Sequence, residues 1–425
     1  MTVEAPDGSQ ASIPPRPSAD AVLLDARQVV TCAGPTGDPL GVLERASVAW
    51  RGERIVAVGP SDRVAFELDL TGARTVDAGG GVVLPGFVDC HTHLVFAGSR
   101  VEEFAARTRG DDLGALGRRG AAVGIRGTAA ATRRASVDEL VEQARPRLRA
   151  MIAAGTTTVE VKSGYGLEHD AELRMLEAVR RLGESEPVDV VATYLGAHAL
   201  PPERPREEYV AELVKRTIPT VAEAGLARFC DAYCDEGYFT VDETIRVLEA
   251  AVARGLAPKL HIDAYSHTGI ARAAAVLGCV SVDHLNYTTA EELGELHAVG
   301  AVAVAMPGLD LAAGHPRPWN ARPAAELGMP VALATDLCPG CWLPSMQEVV
   351  ALACRRTGLS VEEAVLGATL SSARAIGRGD EVGSIEPGKL ADLVVLDLDR
   401  YEELAYRLGV NSVRTVIKRG TPVRT

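Results

Sequence analysis

Several things are missing from this chain, and each absence closes off a class of protein. No run of about 18 uncharged apolar residues occurs, so no membrane span is expected. The first twenty residues, MTVEAPDGSQASIPPRPSAD, lack a basic stretch followed by an apolar one, so no signal peptide is expected. Positive charge is in deficit: 44 Lys and Arg face 57 Asp and Glu, for a net charge of −13 and a pI near 5.3. That balance argues against a nucleic-acid partner and against an anionic membrane surface. No glycine-rich dinucleotide loop follows the first strand pattern, which disfavours an open nucleotide-binding sheet. The 8 cysteines sit in a long chain without a secretory leader. They read as reduced thiols, and a cytoplasmic location is expected.

What is present points to a barrel with a second, smaller domain. The 425 residues exceed one small core. Residues 1–20 are rich in Pro, Ser and Ala and read as a flexible tail. Short β signals fill residues 21–84 (AVLLDARQVVT, RASVAWRGERIVAVG) and return in LADLVVLDLD and SVRTVIKRGTPV near the end. The expected small β-sandwich domain therefore combines 21–84 with 384–425. Residues 85–383 alternate short apolar strands with amphipathic helices such as DELVEQARPRLRAMIAAG and DAELRMLEAVRRLG. That repetition implies an α/β fold with a parallel sheet, and its length favours a TIM-like (β/α)8 barrel.

Polar residues recur where such strands should end: His91 and His93 after GFVDC, Lys162 and Tyr165 in VKSGYG, His198 in LGAH, His261 in KLHID, His284 in VDH and Asp336 in LATD. The HTH at 91–93 sets two imidazoles on one side of a strand, because side chains alternate. A lone HxH is weak, but strand-end partners strengthen it. His261 and Asp336 are the candidates to complete an open site for one divalent ion, zinc or iron. Bound water there would be acidified enough to attack a carbon at neutral pH. Asp336 alone could instead cap a helix.

LPGFVDCHTHLVFAGSR, EVKSGYGL, TYLGAHALP, KLHIDAY, VDHL and VALATDLCPG together resemble the amidohydrolase superfamily and, within it, the imidazolonepropionase family, over nearly the whole chain from about residue 21. The resemblance implies a metal held by His91, His93, His261 and Asp336. It implies substrate contacts from Arg100, Tyr165 and His198, and water activation by His284, with Asp336 and His198 also in the catalytic set. It implies a homodimer, a small cyclic amide substrate carrying a carboxylate, and a supporting or structural role for Lys162. Arg100 could hold that carboxylate in a bidentate pair, or be taken by Glu102 or Glu103. Tyr165 could hydrogen-bond substrate or simply pack.

Departures from the family pattern gather around the expected pocket. Three residues after His261, assigned to a sixth strand, the family carries a glutamate and this chain has Ala264. The Asn-Pro-Gly-Ser/Thr turn after the metal aspartate is replaced by Cys338, Pro339, Gly340 and Cys341. In DDLGALGRRGAAVG, Leu113 falls near a tyrosine position and Gly120-Ala121-Ala122 at a triple glycine. Ala264, Cys338, Gly340 and Cys341 are therefore expected to line the substrate pocket. Cys338 and Cys341 read as pocket lining, a soft metal contact or a redox pair. Asp263 would share the face of His261 if the strand ran on. Cys230 and Cys234 are spaced for a helix face or loop.

The main expectation is a metal-dependent hydrolase opening the C–N bond of a cyclic amide related to imidazolone. Absence of the family's glutamate at Ala264 argues against a deaminase, which needs a proton shuttle there. The alternatives are a true imidazolonepropionase activity, a catalytically silent ligand-binding barrel, and a metal-dependent lyase or isomerase.

Overall fold

The computed structural model describes residues 16–35, 37–118 and 123–423. Its larger sheet runs in strict chain order through Phe87–Asp89, Thr156–Lys162, Asp189–Ala197, Phe229–Cys234, Leu260–Ile262, Ser281–His284, Val302–Ala305 and Val331–Leu333. Every neighbouring pair is parallel. These are barrel strands one to eight, and buried side chains crowd them on both faces, as a barrel requires. The eighth and first strands meet just beyond their ends. Asp336 N donates to His91 O at 3.1 Å, and His93 N donates to Leu337 O at 2.9 Å. The Asp89 carboxylate adds Thr335 N and Oγ1 at 3.2 and 2.6 Å. Closing the barrel at this seam sets Asp336 beside the two histidines.

The intervening helices carry their own start signals. Val137–Ala153, Val241–Val252, Ala290–Ala298 and Val361–Leu366 each open on a reciprocal capping box, Ser136/Glu139, Thr240/Glu243, Thr289/Glu292 and Ser360/Glu363. His169–Ser185 buries Ala171, Met175, Ala178, Val179 and Leu182 along one stripe, which seats it against the sheet. No helix among the described residues is long and apolar enough to cross a membrane.

Among the described residues, the second sheet has eight strands drawn from both ends of the sequence. Ala21–Val30 pairs antiparallel with Val42–Arg51. Its first half pairs in parallel with Arg74–Asp77 and its second half with Val82–Pro85. The change comes at a bulge between Leu23 and Ala26, where Asp25 has φ of 58°. Leu393–Leu396, Val413–Lys418 and Thr421–Val423 extend the sheet from Val82–Pro85. Leu23, Val29, Val48, Trp50, Val83, Leu393, Val395 and Ile417 form its core.

Three expectations change, and a fourth falls partly outside the described residues. The tail ends before residue 20, because Ser18 bridges Asp69 and Ala19 N donates to Asp69 O. Cys230 and Cys234 lie on the fourth barrel strand, not on a helix or loop. His261 belongs to the fifth strand, not the sixth, and that strand stops at Ile262. Leu113 opens the helix Leu113–Arg118, while Gly120, Ala121 and Ala122 lie outside the described residues.

Candidate metal centre and active site

Barrel geometry brings the strand-end residues into one buried ring. The His91 ring lies 4.5 Å from His261 and 5.3 Å from His93, centroid to centroid. Thr92 turns away between them, its Oγ1 donating to Glu160 O at 2.6 Å. Asp336 Oδ1 is 3.8 Å from His93 Nε2 and 4.0 Å from His91 Nε2. Among the described residues, five sets hold ligand atoms within 4.8 Å of one another: three in the ring (His91, His93 and Asp336; His91, His261 and His284; His93, His198 and His261), one reaching below it (Asp231, His261 and Asp283), and one apart from it (Asp263, His267 and Glu292). Cys338 and Cys341 belong to no such set among the described residues, so the soft-metal reading of that pair is not supported.

Beneath the ring lies a fully buried charge network. His91 Nδ1 is 2.6 Å from Asp283 Oδ2, and His261 Nδ1 is 3.0 Å from Asp231 Oδ2. Lys162 Nζ joins both carboxylates, at 2.8 Å from Asp231 and 3.5 Å from Asp283, and reaches Glu160 at 3.0 Å. Lys259 completes it at 2.8 Å from Glu160. Asp283 takes the Nδ1 side of His91 and leaves its Nε2 free, the arrangement that orients metal-binding histidines. Asp231 accepts from the His261 backbone N at 3.2 Å and lies close to its Nδ1 without a hydrogen bond. Burial opposes the charge on Lys162, but Asp231, Glu160 and Asp283 outweigh it and hold the ammonium protonated. Lys162 is thus embedded in the support below the ring.

The donor set fits a cation. Nε2 of His91, Nε2 of His261 and Oδ1 of Asp336 are buried without hydrogen-bond partners, which is costly unless something binds them. Burial, reinforced by nearby cationic groups, keeps His91, His93 and His261 far below the ordinary histidine range, so they are neutral. Neutral imidazole is the ligand form. Burial pushes the Asp336 carboxyl up to about 7 while Lys162 opposes the shift. The network below sets Glu160, Asp231 and Asp283 against Lys162 and Lys259, so acidic and basic groups are paired under the ring.

A cavity opens over the ring, lined by His93, His198, His261, His284 and Asp336 and by Arg100, Tyr165, Ala264, Cys338 and Gly340. His198 Nδ1 donates to Gly164 O at 3.0 Å, which leaves Nε2 for the cavity, and burial pushes the ring down to about 4. Tyr165 packs edge-on against His93 and His198. Arg100 is bidentate with Glu103, Nε at 2.7 Å and Nη2 at 2.6 Å, and Glu103 also takes Arg107 and Gly124 N. The Glu103 pairing weighed from the sequence is therefore present, and Arg100 lines the cavity as well. Its Nη1 lies 3.5 Å from where a Cβ on Gly340 would stand.

Three site expectations need correction. Cys341 is not among the lining residues: its buried thiol donates to Thr335 O at 3.8 Å. Asp263 does not share the His261 face, because its φ of 50° turns the chain and its carboxylate accepts from Thr268 N, Thr268 Oγ1 and Thr288 Oγ1. Asp336 caps no helix: the next begins at Met346. Sequence reasoning missed Arg107, Tyr233, Tyr238, Tyr265, Asn286, Asp310 and His315, all of which line the cavity. Tyr265 and Asn286 stand within two residues of Ala264 and His284, so reading further past each strand end could have found them.

Comparison with known proteins agrees with this geometry. The family model described as "Amidohydrolase family" matches residues 74–217 and 105–424. The chain is 44% identical over 412 residues to an imidazolonepropionase of Symbiobacterium thermophilum, covering 94% of this chain and 96% of the relative. It is 42% identical over 411 residues to an imidazolonepropionase of Geobacillus kaustophilus, with the same coverages of 94% and 96%. Among solved structures it resembles a zinc-bound adenosine deaminase from Xanthomonas campestris, with a TM-score of 0.67 and 22% identity over 96% of this chain and 93% of that one. That second likeness speaks to the fold alone. The chain is a hydrolase acting on carbon–nitrogen bonds other than peptide bonds. It belongs to the amidohydrolase family, in the branch that contains the imidazolonepropionases.

Proposed function

We propose that the chain hydrolyses 4-imidazolone-5-propanoate to N-formimidoyl-glutamate, with imidazolonepropionases of 42–44% identity over 94% of its length as relatives. The observation that carries this reading is one cavity lined by His93, His261, Asp336 and the Arg100 guanidinium, with His91 in donor range of the same histidines and aspartate. His91, His93, His261 and Asp336 would hold zinc or iron, which when bound supplies Lewis acidity and lowers the pKa of water.

This chain's own side chains do the rest. Arg100, fixed on Glu103 through Nε and Nη2, offers Nη1 to the substrate carboxylate. His198 is locked on Gly164 O and presents Nε2 to the ring. His284 is held neutral by burial and accepts a proton from the attacking water at a ring nitrogen. The ring C–N bond then breaks, and its nitrogen takes a proton as the water oxygen joins carbon. The thiol of Cys338 is pushed up by burial and Asp336, so it stays protonated and acts as wall rather than nucleophile.

A second reading is supported by one observation: Ala264 and Cys338 both line the cavity and neither supplies a carboxylate or hydroxyl. It keeps hydrolysis and changes the ring to a related cyclic amide. Turnover of imidazolonepropanoate in oxygen-18 water separates the possibilities. A product carrying one labelled oxygen supports hydrolysis, an unlabelled product points to a lyase or isomerase, and bound but unchanged substrate points to a silent barrel. The same reading includes a cytoplasmic homodimer, tested by sedimentation.

A further inference from the structure

Two carboxylates line the cavity among the described residues, Asp336 and Asp310. Asp336 faces the histidine ring, and the reading above gives Asp310 no task. Asp310 follows the seventh barrel strand, in the short helix Pro307–Ala313. Its Oδ1 accepts from Asn286 Nδ2 at 3.0 Å and its Oδ2 from Trp319 N at 3.0 Å. Each oxygen therefore keeps acceptor capacity.

Its neighbours are committed elsewhere. His315 Nδ1 accepts from Arg317 N at 3.1 Å, which assigns the proton to Nε2, and Nε2–H donates to Ala264 O at 2.7 Å. The two amide hydrogens of Asn286 go to Asp310 Oδ1 and to Arg317 O, the latter at 2.9 Å. His315 thus latches the backbone of Ala264, Asn286 aims the carboxylate, and Asp310 remains the anionic acceptor on this wall. Its charge also reaches the His284 ring, where Asp283 and then Asp310 counter the effect of burial. The cavity therefore carries cationic groups at Arg100 and Arg107 and a separate anionic one at Asp310.

We propose that Asp310 is a specificity-determining residue that accepts a hydrogen bond from a ring N–H of the substrate, on the cavity wall beside Ala264. A ligand with a carboxylate on one arm and N–H groups on a five-membered ring matches that division of charge. The inference rests on the cyclic-amide reading above and adds the residue that senses the ring. A site built to accept an N–H binds an analogue that lacks it less tightly, because the remaining acceptor position on the half-buried Asp310 carboxylate then loses its donor.

The test uses the metal-loaded protein and two probes: a five-membered cyclic urea with a propanoate arm, and its ring N-methyl derivative. Calorimetry measures both on wild type, Asp310→Ala and Asp310→Asn, with metal content and melting temperature confirming the fold. Wild type should bind the N–H probe at least about tenfold more tightly than the N-methyl probe. Asp310→Ala should lose that contrast while binding the N-methyl probe as before, and Asp310→Asn, which keeps an acceptor oxygen, should retain part of it. A contrast that survives in Asp310→Ala, or is missing from wild type, overturns the proposal. The arms separate from the parent reading: loss of contrast without turnover of imidazolonepropanoate keeps Asp310 and sinks that substrate, while turnover with undiminished contrast in Asp310→Ala does the reverse.

Discussion

His91 Nδ1 stands 2.6 Å from Asp283 Oδ2, with both side chains fully buried. Lys162 ties that carboxylate to Asp231, the partner of His261. One ammonium group thereby orients two candidate ligands from the first and fifth strands. Asp283→Ala should weaken metal binding by about 10- to 100-fold, and Asp283→Asn by less. Competition against a chelator, read by elemental analysis, checks this. Unchanged affinity in Asp283→Ala would remove the orienting role.

Arg100 shares Glu103 with Arg107, so one carboxylate serves two guanidinium groups. Arg100→Met should raise KM for imidazolonepropanoate about 10- to 100-fold, the worth of a charge-assisted hydrogen bond, with a much smaller change in kcat. An analogue lacking the carboxylate should bind both forms equally. A fall confined to kcat would contradict the carboxylate role.

Gly164 has φ of 105°, and a Cβ there would sit 2.8 Å from Leu195 O and 2.9 Å from His198 Nδ1. Gly164→Ala should therefore cost about 1–3 kcal/mol of stability through backbone strain. It should also lower activity by pushing His198 off Gly164 O. Denaturant melts and steady-state kinetics of the purified variant test both effects.

The two domains meet at Asp189 of the third barrel strand, which pairs with Arg378 at 2.6 Å and with Lys418 and Arg419 of the β domain at 3.0 and 3.2 Å. Burial pushes the Asp189 carboxyl up, but Lys418 and Arg378 outweigh it and hold it below its ordinary value of 3.8. The folded state prefers the ionised form. This contribution is therefore fully present above the ordinary value and is lost as pH falls through the depressed one. Asp189→Asn should cost about 1–3 kcal/mol at neutral pH and lose stability less steeply than wild type between about pH 5 and about pH 3. Parallel curves for the two proteins would contradict this.

The strand-end histidines were legible because each combines a short apolar run with a polar terminus, and the barrel aligns those termini at one rim. The support below them was not. Phe229–Cys234 reads poorly as a strand because Asp231 interrupts its apolar run, and its partner Lys162 is 69 residues away in sequence. Local periodicity carries no trace of such a pairing. KLHIDAY also looks like a longer strand than it is, because the turn at Asp263 depends on Thr268 and Thr288. Cys341 is expected in the pocket from its position in the family's turn, but the turn that pairs Cys338 with Cys341 through both backbone amides leaves Cys338 and Gly340 lining the cavity and Cys341 outside it.

The most direct test of the account is kcat/KM for 4-imidazolone-5-propanoate with the metal-loaded protein, followed by loss of the ring chromophore and the mass of the product. A value at or above about 10⁴ M⁻¹ s⁻¹, with N-formimidoyl-glutamate as product and activity lost on chelation, is expected. Protein with a full metal complement that leaves imidazolonepropanoate unchanged would contradict it.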